Sequence, residues 1–173
     1  MPKEPTMPTQ TTMAATEVHA LLRRAFAMRA AFYARMFEVL RAELGRERAM
    51  TLMKEATRQM GEKAGAGLAG HGPADLAGLS RDFLGGIIEG ETLFSPELRR
   101  CDEAELTIHF HRCPLKEAWQ AEGCGDADLK DLCEIAGAID QGMFTAAGFT
   151  FAGETWQPGR EGCCTLRVLP GKD

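Results

Sequence analysis

The spacing of apolar residues changes near residue 90, and this change limits the chain to a mixed fold. Before that point, apolar residues recur every three or four positions, which is typical of helices that bury one face. After it, apolar and polar residues alternate in several segments, which is typical of half-buried strands. The chain therefore predicts an α+β protein. A helical N-terminal half precedes a four-stranded antiparallel sheet (β-β-α-α-β-β) with helices packed on one face.

Three helices are predicted in the N-terminal half, over residues 14–44, 47–68 and 75–89. Gly61 and Gly65 lie four residues apart on the second helix, a spacing that permits a close helix crossing. The first helix carries an apolar stripe that we expect to face the core. Its members are Val18, Leu21, Ala25, Met28, Phe32, Met36, Val39 and Leu40.

Two strand pairs that flank two helices are predicted in the C-terminal half. Pro96 cannot donate a backbone hydrogen bond, so the first strand should lie at an edge of the sheet. Pro114 suits the first turn of a helix. The predicted strands span residues 93–101, 105–111, 148–156 and 163–169, and the predicted helices begin at 114 and span 128–143.

Length and charge limit the classes of function. Residues 14–173 are expected to form a single domain, and residues 1–13, rich in Pro, Thr and Met, predict a disordered leader. A net charge of −5 argues against nucleic-acid binding, which needs a basic face. No apolar run approaches the roughly 20 residues that a bilayer span requires. We therefore expect a cytoplasmic protein that binds neither nucleic acid nor membrane, with a small molecule as its partner.

Five of the six cysteines lie between residues 113 and 164. In a reducing compartment, clustered thiols more often indicate metal binding or catalysis than disulfides, although a free cysteine is as often a core residue. Adjacent residues on a strand point to opposite faces. Of Cys163 and Cys164, at most one is therefore expected to share a pocket with Cys113 and Cys133.

His109 and His111 alternate along the second predicted strand, so they share one face and lie about 7 Å apart. Together with Cys163 and Cys164 they form a candidate metal site. The alternative, which we favour for the histidines, is the polar solvent-facing side of an antiparallel sheet. No cysteine pair has the Cys-x-x-Cys spacing, and the chain lacks a phosphate-binding loop and a nucleophile elbow.

Two carboxylates and a tryptophan are further candidates. Asp140 lies two helical turns beyond Cys133, where it can serve as a base or simply end the apolar stripe. Glu154 and Trp156 lie at the end of a predicted strand, just before a loop. Both tryptophans, Trp119 and Trp156, are more often core residues than ligand-stacking ones.

The order of four short motifs resembles the L-2-amino-thiazoline-4-carboxylic acid hydrolase family. These motifs are Arg112-Cys113-Pro114, Leu132-Cys133, Gly153-Glu154-Thr155 and the segment 162–167, and residues 43–49 and 56–61 resemble the helical half of the family. Members hydrolyse a cyclic thiazoline amino acid to an N-carbamoyl cysteine. A more distant likeness exists to the small-ligand-binding domains named after 4-vinyl reductase.

The resemblance implies roles for individual residues. Cys113 and Cys133 would act as nucleophile or ligand, Asp140 or Glu154 as acid/base, and Arg112 as the clamp for a substrate carboxylate. Trp156 would contact the substrate. At position 136 the family has an acidic residue and this chain has alanine, while the aspartate lies one helical turn further on.

Two functions remain open from the sequence. The first is a hydrolase of a small ring containing C–N and C–S bonds, for which the sequence indicates no particular cofactor. The second is a non-catalytic module that senses a small ligand, a divalent metal or oxidation through its cysteines. The long first helix can form a homodimer or cover the sheet of its own chain.

Overall fold

A computed structural model of the chain describes residues 14–172. The leader predicted over residues 1–13 lies outside this range. The structure confirms the predicted α+β class, with the helices mostly before the sheet. Its elements are α1 (Ala15–Leu44), α2 (Arg46–Gly65), a 3-10 helix (Ala66–His71), α3 (Leu76–Gly85), α4 (Gly90–Leu93), β1 (Pro96–Cys101), β2 (Leu106–Phe110), α5 (Pro114–Ala121), α6 (Asp126–Ala146), β3 (Thr150–Phe151) and β4 (Thr165–Leu169).

The four strands form one antiparallel sheet in the order β1-β2-β4-β3. The strand that contains Pro96 lies at the edge, as predicted. Alternation along β2 buries Leu106, Ile108 and Phe110 on one face and leaves the polar residues between them on the other. Helices α3 and α6 cover the apolar face through residues such as Leu79 and Phe144. The predicted arrangement, with helices on one face, is therefore confirmed.

Helices α2 and α6 cross closely because glycines form the contact. A Cβ atom at Gly61 would overlap the backbone of Ile139, and a Cβ at Gly65 would also overlap the backbone of α6. From the other side, Gly142 leaves no room for a Cβ beside the backbone of Arg58. The predicted close crossing of the helix that carries Gly61 and Gly65 is therefore confirmed, and it fixes α6 against the helical half.

The predicted orientation of α1 is wrong. Its core face is formed by Ala30, Tyr33 and Phe37, whereas most of the predicted stripe is exposed. The Tyr33 hydroxyl lies 3.4 Å from that of Thr57, and its ring packs edge-on against Trp119. Apolar residues occupy both faces of this helix, so periodicity alone did not identify the buried one. Within residues 14–172, no helix, the 30-residue α1 included, has the length and apolar character needed to cross a bilayer.

The strands are shorter than predicted, and local geometry explains why. Residues 90–93 form α4, so β1 begins only at Pro96. At Gly153 the backbone passes so close to the Phe151 ring that a Cβ would overlap it, and regular β3 pairing has already ended. Glu154 then returns to the sheet through a single bridge to Thr165.

Candidate functional site

A largely apolar cavity of about 500 Å³ opens between α1, α5, α6 and the segment before β4. Its volume falls within the range of small-molecule sites. Aromatic and aliphatic side chains form most of the wall. The side chains able to ionise or react there are Arg29, Cys113, Cys133, Asp140, Cys163 and Cys164.

Helix α6 forms one side of the cavity. Cys133, Ala136, Gly137 and Asp140 recur at steps of three or four and line it together. With a rise of about 1.5 Å per residue, the first and last of these lie about 10 Å apart along the helix axis. The small residues between them leave space for a ligand. Ala136 therefore forms part of the cavity wall.

Cys113 lies at the N-terminus of α5 and completes a group of thiols. Its pKa is raised well above the usual value, first by the neighbouring Cys163 thiol and then by burial. The hydrogen bond with Cys113 lowers the pKa of Cys163. Cys164 and burial together raise this pKa by more, so the net shift is upward. Burial also raises the pKa of Cys133 to about 12. These thiols are therefore protonated at neutral pH, so none is a preformed thiolate nucleophile.

Both Cys163 and Cys164 line the cavity, so the expectation that at most one of them would do so is wrong. The pair precedes β4 and does not lie within a regular strand. Gly162 adopts a φ of 74° just before it. The N–H of Cys163 donates to the Phe110 carbonyl and the Phe110 N–H donates to the Cys164 carbonyl, both at 2.9 Å. This local turn directs both side chains to the cavity.

Asp140 is the acidic group of the cavity. Burial raises its pKa to about 7, and the charge of Arg29 opposes this only in part. Asp140 is partly exposed because it lines the open cavity. Within residues 14–172 its side chain makes no hydrogen bond. The carboxyl is thus able to gain or lose a proton near neutral pH, as a general acid or base must.

Arg29, from α1, is the basic group of the cavity, and the sequence analysis missed it. One terminal nitrogen donates to the Tyr33 hydroxyl at 3.2 Å, while the Nε is buried without a partner in the described part of the chain. A guanidinium whose buried Nε lacks a partner suits a carboxylate. No signal in the sequence identified it, because the burial of the adjacent Ala30 and of Tyr33 one turn later is visible only in the fold.

Arg112 and Glu154, two predicted site residues, do not line the apolar cavity. Arg112 donates from Nε to Glu117 at 2.7 Å and also to the Thr92 carbonyl. Glu154 is paired with Arg160 and lines a separate polar groove. Both side chains already have partners and lie outside the cavity, so neither would contact a ligand bound there.

His109 and His111 lie on the polar face of the sheet, apart from the cavity. His109 shares a hydrogen bond of 2.9 Å with Thr165, and His111 one of 3.0 Å with Glu97. Among residues 14–172, no three His, Cys, Asp or Glu side chains are grouped closely enough to hold an ion. The candidate metal set of His109, His111, Cys163 and Cys164 is therefore not brought together.

The two tryptophans have different positions. Trp119 is buried and donates from Nε1 to the Ala30 carbonyl at 2.8 Å. Trp156 is also buried but lines the cavity, held by a hydrogen bond to the Arg160 carbonyl. The Lys116 ammonium lies 5.4 Å from the centre of its ring. The structure therefore places Trp156, a predicted substrate contact, in the cavity wall.

The α+β fold thus encloses an apolar cavity lined by a carboxyl, a guanidinium and four thiols, which is the general form of small-molecule sites in proteins. The model of the L-2-amino-thiazoline-4-carboxylic acid hydrolase family matches residues 25–168, and the chain belongs to this family. The predicted resemblance is thereby confirmed, and the matched range includes all six reactive cavity residues. No curated protein and no solved structure matched the chain.

Proposed function

We propose that this protein hydrolyses a small cyclic amidine of the 2-aminothiazoline-4-carboxylate type in the apolar cavity. The observation that carries the proposal is that Asp140 and Arg29 line the same cavity. The Asp140 carboxyl has a pKa of about 7, and the Arg29 guanidinium has a buried Nε donor without a partner in the described residues. Family membership supports hydrolysis as the reaction class.

Arg29 binds the substrate carboxylate in this proposal. Its Nε lacks a partner within the described residues, and its planar fork can donate two parallel hydrogen bonds to a carboxylate. Trp156 and the apolar wall would contact the ring itself. The substrate carboxylate would accept the hydrogen bond that the Arg29 Nε lacks within the chain. An anionic ring should therefore bind more tightly than a neutral one.

Asp140 moves the proton. Its carboxylate accepts a proton from water as the water oxygen attacks the ring carbon between nitrogen and sulfur. The carbon–sulfur bond then breaks, and Asp140 returns that proton to the departing sulfur. The second water proton ends on the ring nitrogen as the carbonyl forms. The product is an N-carbamoyl amino acid with a free thiol, and no oxidant or cofactor is consumed.

The cavity thiols favour this water route over covalent catalysis. The raised pKa of Cys113 and of Cys133 leaves both as neutral thiols, which are weak nucleophiles. They provide polarisable contacts for a sulfur-containing ring. Covalent catalysis by Cys113 would need Cys113→Ala to abolish turnover, whereas the water route tolerates this change with a moderate loss.

The decisive experiment measures ring opening directly. Purified wild type and Asp140→Asn are incubated with 2-aminothiazoline-4-carboxylate, and the carbamoyl product is quantified by mass spectrometry. Loss of a general acid/base should lower kcat by about 10²- to 10⁴-fold. Glu154→Gln is the matched control, because that carboxylate lies in the polar groove and should retain wild-type turnover. Equal losses in both variants, or no turnover by folded wild type, would remove the proposal.

The second candidate is a non-catalytic module that binds the same class of ligand. The raised pKa values of Cys113, Cys133 and Cys163 favour it, since none of these three thiols is a preformed nucleophile. Calorimetry with the same compound separates the two functions. Binding without product formation over hours supports the module, and product formation that depends on Asp140 supports the hydrolase.

A further inference from the structure

Helix α1 has a second apolar face that nothing covers within residues 14–172. It lies opposite the core face formed by Ala30, Tyr33 and Phe37. Four large side chains on it are more than half exposed: Leu21 at 52%, Met28 at 68%, Phe32 at 66% and Val39 at 60%. Large apolar side chains grouped on one exposed face are typical of an interaction surface.

The spacing on this face is that of a helix pair. Positions 21, 25, 28, 32, 35 and 39 alternate in steps of four and three, as the inward positions of a coiled coil do. They are also symmetric about position 30. Leu21 mirrors Val39, Met28 mirrors Phe32, and Ala25 mirrors Arg35. A two-fold axis at the middle of the helix would therefore superpose the face on itself.

We propose that a second copy of this chain docks here, with the two α1 helices packed antiparallel across a two-fold axis. Leu21 of one copy then packs on Val39 of the other, and Met28 on Phe32. Each pair occurs twice, so all four large exposed side chains become buried. The core face of each α1 points away from the two-fold axis, so each cavity is formed by residues of one chain alone.

The charges on α1 favour the antiparallel direction. Arg24 and Glu38 immediately precede the seam positions 25 and 39 and flank the seam on the same side. In an antiparallel pair, Arg24 of each copy would therefore lie near Glu38 of the other, twice per dimer. Arg24 makes no ion pair in the described part of its own chain, and Glu38 is bonded only to Arg35 on the same helix. Both side chains are thus able to reach a partner.

A parallel pair would bring like charges together. Arg35 would face its own copy in the seam, and Glu38 would flank Glu43. In the antiparallel pair Arg35 instead faces the small Ala25. Like charges at such positions are unfavourable, so charge selects direction where the apolar residues alone would permit either.

The seam spans about 28 Å of helix, from residue 21 to 39 at 1.5 Å per residue. Specific interfaces of standard size bury about 800 Å² per partner, and a contact of this length falls at the small end of that class. We therefore expect a reversible dimer with a Kd on the order of 1–100 μM.

Sedimentation velocity over a concentration series of the full chain tests the proposal. Wild type should shift from monomer to dimer, and Phe32→Glu should weaken association at least about tenfold. Leu98→Glu is the control, since that side chain on β1 is equally apolar and 50% exposed but lies outside the seam. Circular dichroism verifies that each variant is folded. A wild type that stays monomeric at about 200 μM, or equal weakening by both changes, overturns the dimer.

Charge reversal tests the direction of the pair. Arg24→Glu and Glu38→Arg should each weaken the dimer several-fold, and the double variant should regain most of the wild-type affinity. Failure of the double variant to recover would overturn the antiparallel register. Both results concern association only, so they are independent of whether the protein turns over a thiazoline.

Discussion

The cavity and the polar face of the sheet both carry ionisable side chains, but their surroundings differ. In the cavity, burial raises the pKa of Asp140 to about 7. On the sheet, hydrogen bonds from Arg167 and Thr107 hold the pKa of Glu105 below its usual value. The two carboxyls thus shift in opposite directions. Both regions contain carboxyl side chains, so residue type does not separate them. Only the neighbouring groups determine whether the pKa of a carboxyl is raised or lowered.

Hydrogen-bond partners separate the two regions in the same way. On the sheet face, His109 is bonded to Thr165 and His111 to Glu97. In the cavity, the Asp140 carboxyl and the Nε of Arg29 have no partner within residues 14–172. An unpaired buried polar group costs about 1–3 kcal/mol, or more when charged. This cost applies to the buried Arg29 Nε, and it is the reason for proposing that a substrate carboxylate binds there.

The pH dependence of stability should differ in sign between the two regions, and this is the largest effect on stability that we expect. The raised pKa of Asp140 means that the native state binds a proton more tightly than the unfolded state. Its contribution is complete below pH 4 and is lost as the pH rises through about 7. Asp140→Asn should therefore raise the free energy of unfolding at pH 8 by on the order of 2–4 kcal/mol, with a much smaller gain at pH 4.

Glu105→Gln is the matched variant on the sheet face. The lowered pKa of Glu105 stabilises the native state above the unfolded pKa and ceases to do so as the pH falls. This variant should lose stability at pH 8 and approach wild type at acidic pH. Urea unfolding at pH 4, 6 and 8 gives both profiles. The same sign for both variants would contradict the distinction between the regions.

The next effect concerns two arginines. Arg29→Ala should raise KM for 2-aminothiazoline-4-carboxylate by about 10- to 100-fold. This change corresponds to the loss of one charged hydrogen bond, which contributes about 1.5–3 kcal/mol. Arg29→Lys, which keeps the charge without the fork, should fall between that variant and wild type. Arg112→Ala should leave KM unchanged, since Arg112 is held by Glu117 and the Thr92 carbonyl.

Steady-state kinetics with the carboxylate substrate and its carboxamide give the test a second readout. If Arg29 binds the carboxylate, its removal should abolish the preference for the acid over the amide. A KM increase for Arg112→Ala that exceeds the one for Arg29→Ala would restore Arg112 as the clamp.

Periodicity predicted which elements exist because burial of one face repeats with the period of the element. Three separate segments that carry Cys113, Cys133 and Cys163 meet at one cavity, a convergence that the spacing of the cysteines alone did not predict. The face of α1 was not predictable, since that helix has apolar residues on two sides. Which side of α1 is buried depends on where α2 and α5 pack against it.

The missed and misplaced site residues share a physical cause. A lone arginine in a helix is usually solvated, so nothing in composition distinguishes Arg29 from Arg112. Their roles are separated by partners that come from other elements: Glu117 satisfies one, and the other retains a free Nε. Cys163 and Cys164 share the cavity because a turn at Gly162 replaces the alternation of a strand. Such tertiary partners and local turns are not encoded in spacing.

The smallest effect is expected on the sheet face. His109→Gln and His111→Gln should each leave turnover within about twofold of wild type, as surface changes of at most about 0.5 kcal/mol do. Burial lowers the pKa of His109, so this ring is neutral and hydrogen-bonded to Thr165 at pH 7. Metal content measured by mass spectrometry should be the same in both variants and in wild type. Stoichiometric zinc that is lost on His111→Gln would show that the polar face holds a site after all, and would remove the contrast with the cavity.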